Sequence, residues 1–328
     1  MILIISSKLD GHIEAVSRHL DLAGEKWVRL NTEDLATNAQ ITIRPETGSG
    51  SMFLRDSGKE VALEEVRSVW FRKPEAVNLG HLSLDEASRD YVEAEFNEIL
   101  HGIYGLLGRA YWINDPFSTR ISHRKMVQLQ VAKSLGFTVP HTVITNDAST
   151  ALRFSEEVGG DVAIKSLGAI SVTQESGTSV TQYGIFTRRV SSVELAEFQD
   201  KVRFLPTQFQ QFIQKVYELR ITCVGGKVFA CRIEPRAGEL TEEDCRFDIS
   251  NLVHKPCECP ELHERLRAYM EAFRLNFACF DIGVTKTGQA IFFECNPNGQ
   301  WLWVENLTGL EIGRAIADEL VSREMHGR

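Results

Sequence analysis

Between Phe277 and Asn298 the chain reads FACFDIGVTKTGQAIFFECNPN: two apolar runs, each carrying an acid, on either side of Thr287-Gly288. Runs of this length around a turn dipeptide predict an antiparallel hairpin, and a two-residue turn at Thr287-Gly288 sets Asp281 directly opposite Glu294. Like charges facing each other across a ladder are unfavourable, which points to a cation between them. Side chains alternate along a strand, so Glu294 and Asn296 share a face, and in this register Asp281 joins them. Two carboxylates and an amide oxygen form a hard-oxygen set suited to Mg2+, which takes one or two carboxylates and fills its shell with phosphate oxygens and water. The competing reading is a sheet edge with solvated acids.

Mg2+ held in this way calls for a nucleotide. Lys165 ends the apolar run Val162, Ala163, Ile164, where a lysine is rare unless its ammonium reaches an anion. A Gly/Ser/Thr-rich stretch follows from Ser166, with hydroxyls and unhindered backbone N–H groups able to close over phosphates, and its composition predicts a mobile hairpin. Lys125 falls in the first turn of a helix and means little alone. Phosphate loops of the GxxxxGK[ST] type, a GxGxxG turn, a GxSxG elbow and an HExxH helix are all absent. His254, Cys257, Cys259 and His263 are spaced loosely enough to hold zinc, but their spacing matches no common structural site and reads as a loop.

The rest of the chain frames these residues as an α/β (α+β) protein. ILIIS, a helix over His12 to Leu22 and KWVRL predict strand, helix, strand, a Rossmann-like parallel start. Strands follow near Ile41 and Met52, then VRSVWFRKP, whose proline ends the strand carrying Arg72. Apolar positions from Tyr91 to Leu107 recur at helical spacing and predict one long helix over Ser83 to Leu107. A helix over Ser122 to Leu135 stops at Gly136, and SSVELAEFQDKVRF predicts a single helix with Glu194, Glu197 and Asp200 in one row. Mostly antiparallel strands follow, with a helix over about Pro260 to Arg274. Three parts are expected: 1–116 as an N-terminal α/β domain, 117–209 as a central subdomain, and 210–328 as a C-terminal antiparallel-sheet subdomain.

Composition narrows the function. Lys plus Arg number 36 against 45 Asp plus Glu, a net charge of −9, which argues against nucleic acid as a partner. No apolar run nears the ~20 residues of a membrane span. MILIISSKLD lacks the features of a secretory signal, and seven scattered cysteines fit a reducing compartment, so a cytoplasmic protein is expected.

In order, Lys125, Lys165, the Gly/Ser loop, QQFI, YELR, Asp281 and ECN resemble the ATP-grasp superfamily from about residue 117 onward. The resemblance implies ATP and Mg2+ as cofactors. It assigns Lys125 and Lys165 to the nucleotide, the backbone of Gln211 and Ile213 to the adenine edge, Glu218 to the ribose, and Asp281, Glu294 and Asn296 to the metal. Arg220 looks like the arginine such ligases direct at phosphate and acyl intermediate. WFRKP and NPNGQWLW resemble the ligases that cyclise ribosomal peptides, the microviridin-type or graspetide enzymes. That resemblance implies phosphorylation of Asp or Glu side chains in a precursor peptide (leader plus core) and closure of ester or amide crosslinks through an acyl phosphate, by a homodimer. It suggests substrate contacts for Arg72 and Arg232 and a leader-docking role for the acidic helix near Glu194. Arg232 has a structural alternative, an ion pair with Glu234, and Trp301 and Trp303 read as core or interface aromatics. The rival readings are an ATP-grasp ligase that adds a free amino acid to a carboxylate, and a nucleotide sensor without turnover.

Overall fold

The N-terminal run ILIIS forms β1 (Ile2–Ser6), buried on both faces along its whole length, as a strand covered from two sides must be. The computed structural model describes residues 1–168, 171–176, 179–184, 187–235 and 252–322. After β1 come α1 (His12–Leu22), β2 (Trp27–Asn31), a short α2 (Leu35–Asn38) and an antiparallel ribbon of β3 (Ala39–Arg44), β4 (Ser49–Leu54) and β5 (Lys59–Ala62). Then β6 (Ser68–Phe71), α3 (Glu86–Leu106) and β7 (Tyr111–Ile113) complete a four-stranded parallel sheet in the order β2-β1-β6-β7. Leu3 and Ile5 pack toward α3 and the ribbon, while Ile2 and Ile4 pack toward α1. The strand order reverses between β1 and β6, so their carboxyl ends open a crevice of the kind that takes ligands in parallel sheets.

Asp115 accepts from the Ser118 N–H and, with Pro116 at the first helical position, starts α4 (Pro116–Ser122). The helix expected over Ser122 to Leu135 is therefore two, because Ser122 closes α4 and α5 (Lys125–Ser134) begins afresh at Lys125. The central sheet follows from β8 (Thr142–Thr145), α6 (Ala148–Glu157), β9 (Asp161–Lys165), the hairpin β10 (Ser171–Ser176) and β11 (Ser179–Gly184), then β12 (Arg188–Ser191), α7 (Ser192–Glu197), α8 (Gln199–Val202) and β13 (Thr207–Gln211). Its order is β12-β9-β13-β8. The hairpin expected in the Gly/Ser/Thr-rich stretch is present in the backbone, while its turn at 177–178 and its flanks at 169–170 and 185–186 lie outside the described residues. The row Glu194, Glu197, Asp200 does not form on one helix. Phe198 closes α7 with its N–H on the Glu194 and Leu195 carbonyls, and the Glu194 carboxylate is spent on a capping box with Ser191.

The C-terminal sheet consists of β14 (Tyr217–Val224), β15 (Lys227–Pro235), β16 (Leu252–Cys257), β17 (Phe277–Val284) and β18 (Ala290–Asn296), with α9 (Pro260–Phe273) between β16 and β17. It is antiparallel in the order β16-β15-β14-β17-β18. One face packs on α9 and α5; the other meets α10 (Leu302–Thr308), α11 (Ile312–Ser322) and the N-terminal sheet. Packing crosses both expected boundaries. α5 and Phe137 belong to the C-terminal core, and α11 lies against α1, with the Ser68 hydroxyl donating to the Leu320 carbonyl at 2.8 Å.

Trp301 is a fully buried core residue, and His254 stacks edge-on against Trp303. Among the described residues no cluster of His, Cys, Asp or Glu could hold a metal by itself, and the segment from His254 to His263, expected as a loop, lies on β16 and α9 with Cys259 at the helix start. Among them six cysteines are free, Cys245 lying outside, and no helix is long and apolar enough to cross a membrane.

One buried amide locks the sheets together. Asn114, at the end of β7, donates to the carbonyls of Phe277 and Pro297 (2.7 and 2.8 Å) and accepts from the N–H groups of Asn276 and Phe277 (2.7 and 2.9 Å). Asn114→Ala leaves four buried backbone groups unpaired, and urea unfolding should show a loss of about 2–4 kcal/mol.

Candidate active site

Asp281 does stand opposite Glu294, and Cys279 opposite Asn296, but by a different route from a two-residue turn. From Ile282 onward the ladder is displaced by one residue, pairing Ile282 with Phe292 and Val284 with Ala290. Thr285 and Gln289 close a three-residue loop over Lys286, Thr287 and Gly288, with Gly288 at φ 79°. Phe293 is the extra residue of a β-bulge and restores the register. Two one-residue departures cancel at the acids.

The acids are bracketed by cations. Arg220 on β14 pairs with Asp281 on the same sheet face and donates to both of its oxygens from Nη1, at 2.7 and 2.9 Å. Lys125 Nζ lies 3.5 Å from Glu294 and donates to the Ser166 carbonyl at 2.9 Å, so it joins β18 to the start of the Gly/Ser loop. Burial pushes the Asp281 carboxyl above its usual range; Arg220 pulls it down and Glu294 pushes it up again. Burial also opposes the Arg220 charge, but Asp281 outweighs it and keeps the guanidinium firmly protonated. A third electropositive group here would relieve the repulsion between Asp281 and Glu294, which is the chemistry of a divalent cation. The donor set fits Mg2+, with Asn296 as third ligand; its side-chain oxygen already caps the Asn298 N–H at 3.0 Å, leaving one lone pair.

Backbone clamps hold this strand in place. Gln128 on α5 is buried; it donates to the Ser122 and Cys295 carbonyls and accepts from the Cys295 N–H at 3.1 Å. It therefore fixes the residue between Glu294 and Asn296. After Asn296 the turn runs so close to β17 that a Cβ on Gly299 would sit 2.5 Å from the Cβ of Cys279. Arg220 Nη2 donates to the Gln300 carbonyl at 2.9 Å.

On the nucleotide side, Lys165 Nζ lies 5.0 Å and Lys215 Nζ 5.7 Å from the centre of the bulged Phe293 ring. That ring covers Gly283, where any Cβ would meet it at 2.6 Å. Glu218, assigned to a ribose, is ion-paired with Lys215 at 2.7 Å. Gln211 ends β13, and its N–H is taken by the His141 carbonyl, while Ile213 follows the strand. Phe293 and Lys215 carried no spacing signal, because a bulge is invisible to period-two alternation.

The structure does not bring Arg72 or Arg232 to this face as expected. Arg232 pairs with Leu219, which puts it on the α9 side of the sheet, opposite Arg220. There it stacks on Tyr217 at 3.8 Å and is ion-paired with Glu234 at 2.7 Å, the structural alternative. Arg72 is buried behind the Asn296–Gly299 turn, where it donates to the Asn298 and Gly299 carbonyls and lies 3.0 Å from Asp10. Asp10 in turn holds His12 Nδ1 at 2.7 Å. Asp10 went unseen in the sequence because it meets Arg72 only when β1 and β6 adjoin.

Residues 1–120 match the family described as the MvdD pre-ATP grasp domain. Over 98% of this chain and 99% of that one, the fold superposes with a TM-score of 0.85 and 26% identity on the macrocyclase MdnC from Microcystis aeruginosa MRC, solved bound with its precursor peptide MdnA. The chain has the ATP-grasp fold. The RiPP-associated ATP-grasp ligase of Chryseobacterium gregarium, solved with ADP and a leader and core peptide, gives a TM-score of 0.87 at 26% identity over 100% of this chain and 98% of that one. The macrocyclase MdnB of Microcystis aeruginosa MRC gives 0.79 at 26% identity over 98% and 99%. Curated protein sequences yield no match. The parallel N-terminal sheet, the central sheet and the C-terminal antiparallel sheet are the parts expected of the fold.

The Asp10–Arg72 link makes a measurable claim about pH. Burial alone would raise the Asp10 carboxyl, but His12 and Arg72 outweigh it and bring it down to about 2. A depressed carboxylate stabilises the fold above its ordinary value of 3.8 and loses that contribution as pH falls through about 2. Urea titrations should therefore show stability falling below pH ~4, with Asp10→Asn flattening that limb, and Arg72→Met should cost about 3–5 kcal/mol at neutral pH by stranding Asp10.

Proposed function

We propose that this ATP-grasp protein is an ADP-forming ligase that phosphorylates Asp or Glu side-chain carboxylates of a ribosomal precursor peptide and closes ester or amide crosslinks within it. The observation that carries the reading is the opposed, half-buried pair Asp281 and Glu294, bracketed by Arg220 and Lys125. The similar MdnC and the Chryseobacterium gregarium ligase, solved with peptides, support the peptide substrate.

Lys125 and Lys165 would neutralise the phosphates of ATP, with Lys125 also steering the loop that starts at Ser166. Asp281, Glu294 and Asn296 would hold Mg2+, which when bound screens the triphosphate charge and orients its terminal phosphoryl group. Phe293 would give the nucleotide an apolar floor, and Glu218, ion-paired with Lys215, would meet the ribose. A carboxylate oxygen of the peptide attacks the terminal phosphorus and ADP leaves. A hydroxyl or amine of the same peptide then attacks the acyl carbon, loses its proton, and phosphate leaves. Arg220 stabilises the negative charge that develops on the phosphoryl and acyl oxygens. No protein nucleophile takes part, so positioning and charge neutralisation supply the rate. The reaction is placed in the cytoplasm, where ATP is at hand and free cysteines stay reduced.

Incubation with ATP, Mg2+ and the peptide encoded beside the gene should give ADP and a product lighter by one water per bond. A gain of one residue mass would indicate the amino-acid ligase, and AMP would remove the acyl-phosphate route. Glu294→Gln should abolish ADP formation and the thermal shift with Mg-ATP, yet change stability by less than about 1 kcal/mol without metal, because losing Lys125 is offset by relief from Asp281.

The acting unit is a homodimer. Tyr91 on α3, Phe117 and Ile121 on α4 and Met126 on α5 are each more than half exposed, an apolar surface that a second copy would cover. Light scattering should give twice the 37.0 kDa chain mass, and Phe117→Glu with Ile121→Glu should return it to one.

A further inference from the structure

The turn after β18 leads to α10 through a peptide unit, Gln300–Trp301, that neither element's ladder holds. The two carbonyls before it, of Asn298 and Gly299, go to Arg72, and the Gln300 carbonyl accepts from Arg220 Nη2 at 2.9 Å. At the other end of that peptide the Trp301 N–H donates to His12 Nε2 at 3.4 Å. His12 opens α1 and is nearly enclosed, its side chain 12% exposed and set edge-on to the Trp301 indole with ring centres 5.2 Å apart. An N–H can only donate, so Nε2 carries the lone pair and Nδ1 the proton, which goes to Asp10 Oδ1 at 2.7 Å. The second oxygen of Asp10 lies 3.0 Å from Arg72 Nε. One buried carboxylate therefore fixes both the ring that holds the Gln300–Trp301 peptide and the guanidinium that holds the two peptides before it.

Arg220 depends on this peptide. Its Nη1 is on Asp281 and its Nη2 on the Gln300 carbonyl, while its Nε is buried without a hydrogen-bond partner. Asp281 is assigned to the metal as well, so its oxygens are shared, and the Gln300 carbonyl is the anchor that Arg220 keeps to itself. The N–H and C=O of a planar peptide point in opposite directions, so a rotation that breaks the Trp301 bond to His12 also swings the carbonyl away from Arg220. The bonds polarise one another in series, from Asp10 through the imidazole and the amide to the guanidinium.

We propose that His12, held in one tautomer by Asp10, is a positioning residue for Arg220: by accepting the Trp301 N–H it aims the Gln300 carbonyl, and that carbonyl keeps the guanidinium where charge develops on the phosphoryl and acyl oxygens. The proposal deepens the ligase reading and rests on it. In this role His12 contacts neither nucleotide nor peptide. The role requires a neutral ring, because a protonated Nε2 would set two donors 3.4 Å apart and turn the peptide away. Burial is the chief cause holding His12 below its usual range, with Arg72 and Lys73, just after β6, adding to it; Asp10 opposes them, and the Trp301 indole carries no charge. His12 is therefore neutral at neutral pH, and its protonation in acid should slow turnover.

The experiment compares the parent with His12→Gln and His12→Asn, using ATP, Mg2+ and the precursor peptide encoded beside the gene, and reads ADP release, product mass and melting temperature from about pH 5 to 8. The side-chain oxygen of glutamine reaches the place of Nε2 and accepts the Trp301 N–H without titrating, whereas asparagine reaches only the place of Nδ1 and leaves that N–H unpaired. His12→Asn should lower kcat about tenfold or more with both KM values within about twofold, as a lost transition-state contact does. The parent rate should fall toward about pH 5, and His12→Gln should keep at least about half of the parent kcat without that acid limb. A parent that forms no ADP with the peptide would sink the ligase reading itself. With an active parent, an unchanged kcat in His12→Asn, or a parent rate flat down to about pH 5, overturns the His12 assignment alone. So does a rise in either KM with kcat unchanged, which marks a substrate ligand, or a fall in kcat matched by the fall in folded fraction of both variants, which marks a structural side chain. If His12→Gln is as slow as His12→Asn while both are folded, the imidazole itself moves a proton and the positioning role is wrong.

Discussion

The Asp281–Glu294 opposition is the constraint around which the molecule is arranged. Two carboxylates held across a ladder repel, and the surrounding structure is occupied with keeping them there. Arg220 ties one to β14 and Lys125 ties the other to α5, and each of these cations also grips a backbone carbonyl, at Gln300 and at Ser166. Gln128 fixes the strand between Glu294 and Asn296, Asn114 fixes its exit at Pro297, and Arg72 fixes the turn beyond. Three sheets thus converge on one strand end through hydrogen bonds to main-chain atoms, which do not depend on side-chain rotamers.

Two kinds of arginine work at this centre. Arg220 is paired on the open side of the sheet and can exchange part of its bonding with a ligand oxygen. Arg72 is enclosed, and its bonds to Asp10 and to the turn join the parallel sheet to the end of β18. An enclosed ion pair of this sort adds little net stability but makes the loss of either partner costly, so it specifies geometry. The N-terminal sheet is thereby registered against the strand that carries Glu294.

Much of the site could be read from the chain, and the failures have physical causes. Alternation and the acid spacing gave the correct Asp281–Glu294 pairing, although the turn was a residue longer than expected and a bulge at Phe293 compensated. Alternation counts residues and cannot see an extra one, so the same bulge hid the Phe293 ring. Arg232 was drawn to the site by its neighbours in sequence, while the ladder with Leu219 turns it to the other face. The acidic row beyond Ser191 dissolved because local capping claimed Glu194 and a half-turn at Phe198 reset the helical phase. Contacts such as Asp10 with Arg72 or Asn114 with Pro297 join positions far apart in the chain, and no local pattern encodes them.

The return of α11 to α1 has a bearing on how the chain is made. Ile316 and Leu320 complete the cluster that Ile2 and Ile4 begin, so β1 waits for α11, about 300 residues later, before its inner face is dry. During synthesis the N-terminal sheet can assemble early, but with an uncovered apolar flank that invites either a chaperone or a neighbouring nascent chain. Closure comes only when α11 has left the ribosome. A segment that forms a recognisable sequence unit of its own over residues 1–120 is, in folding terms, an unfinished one.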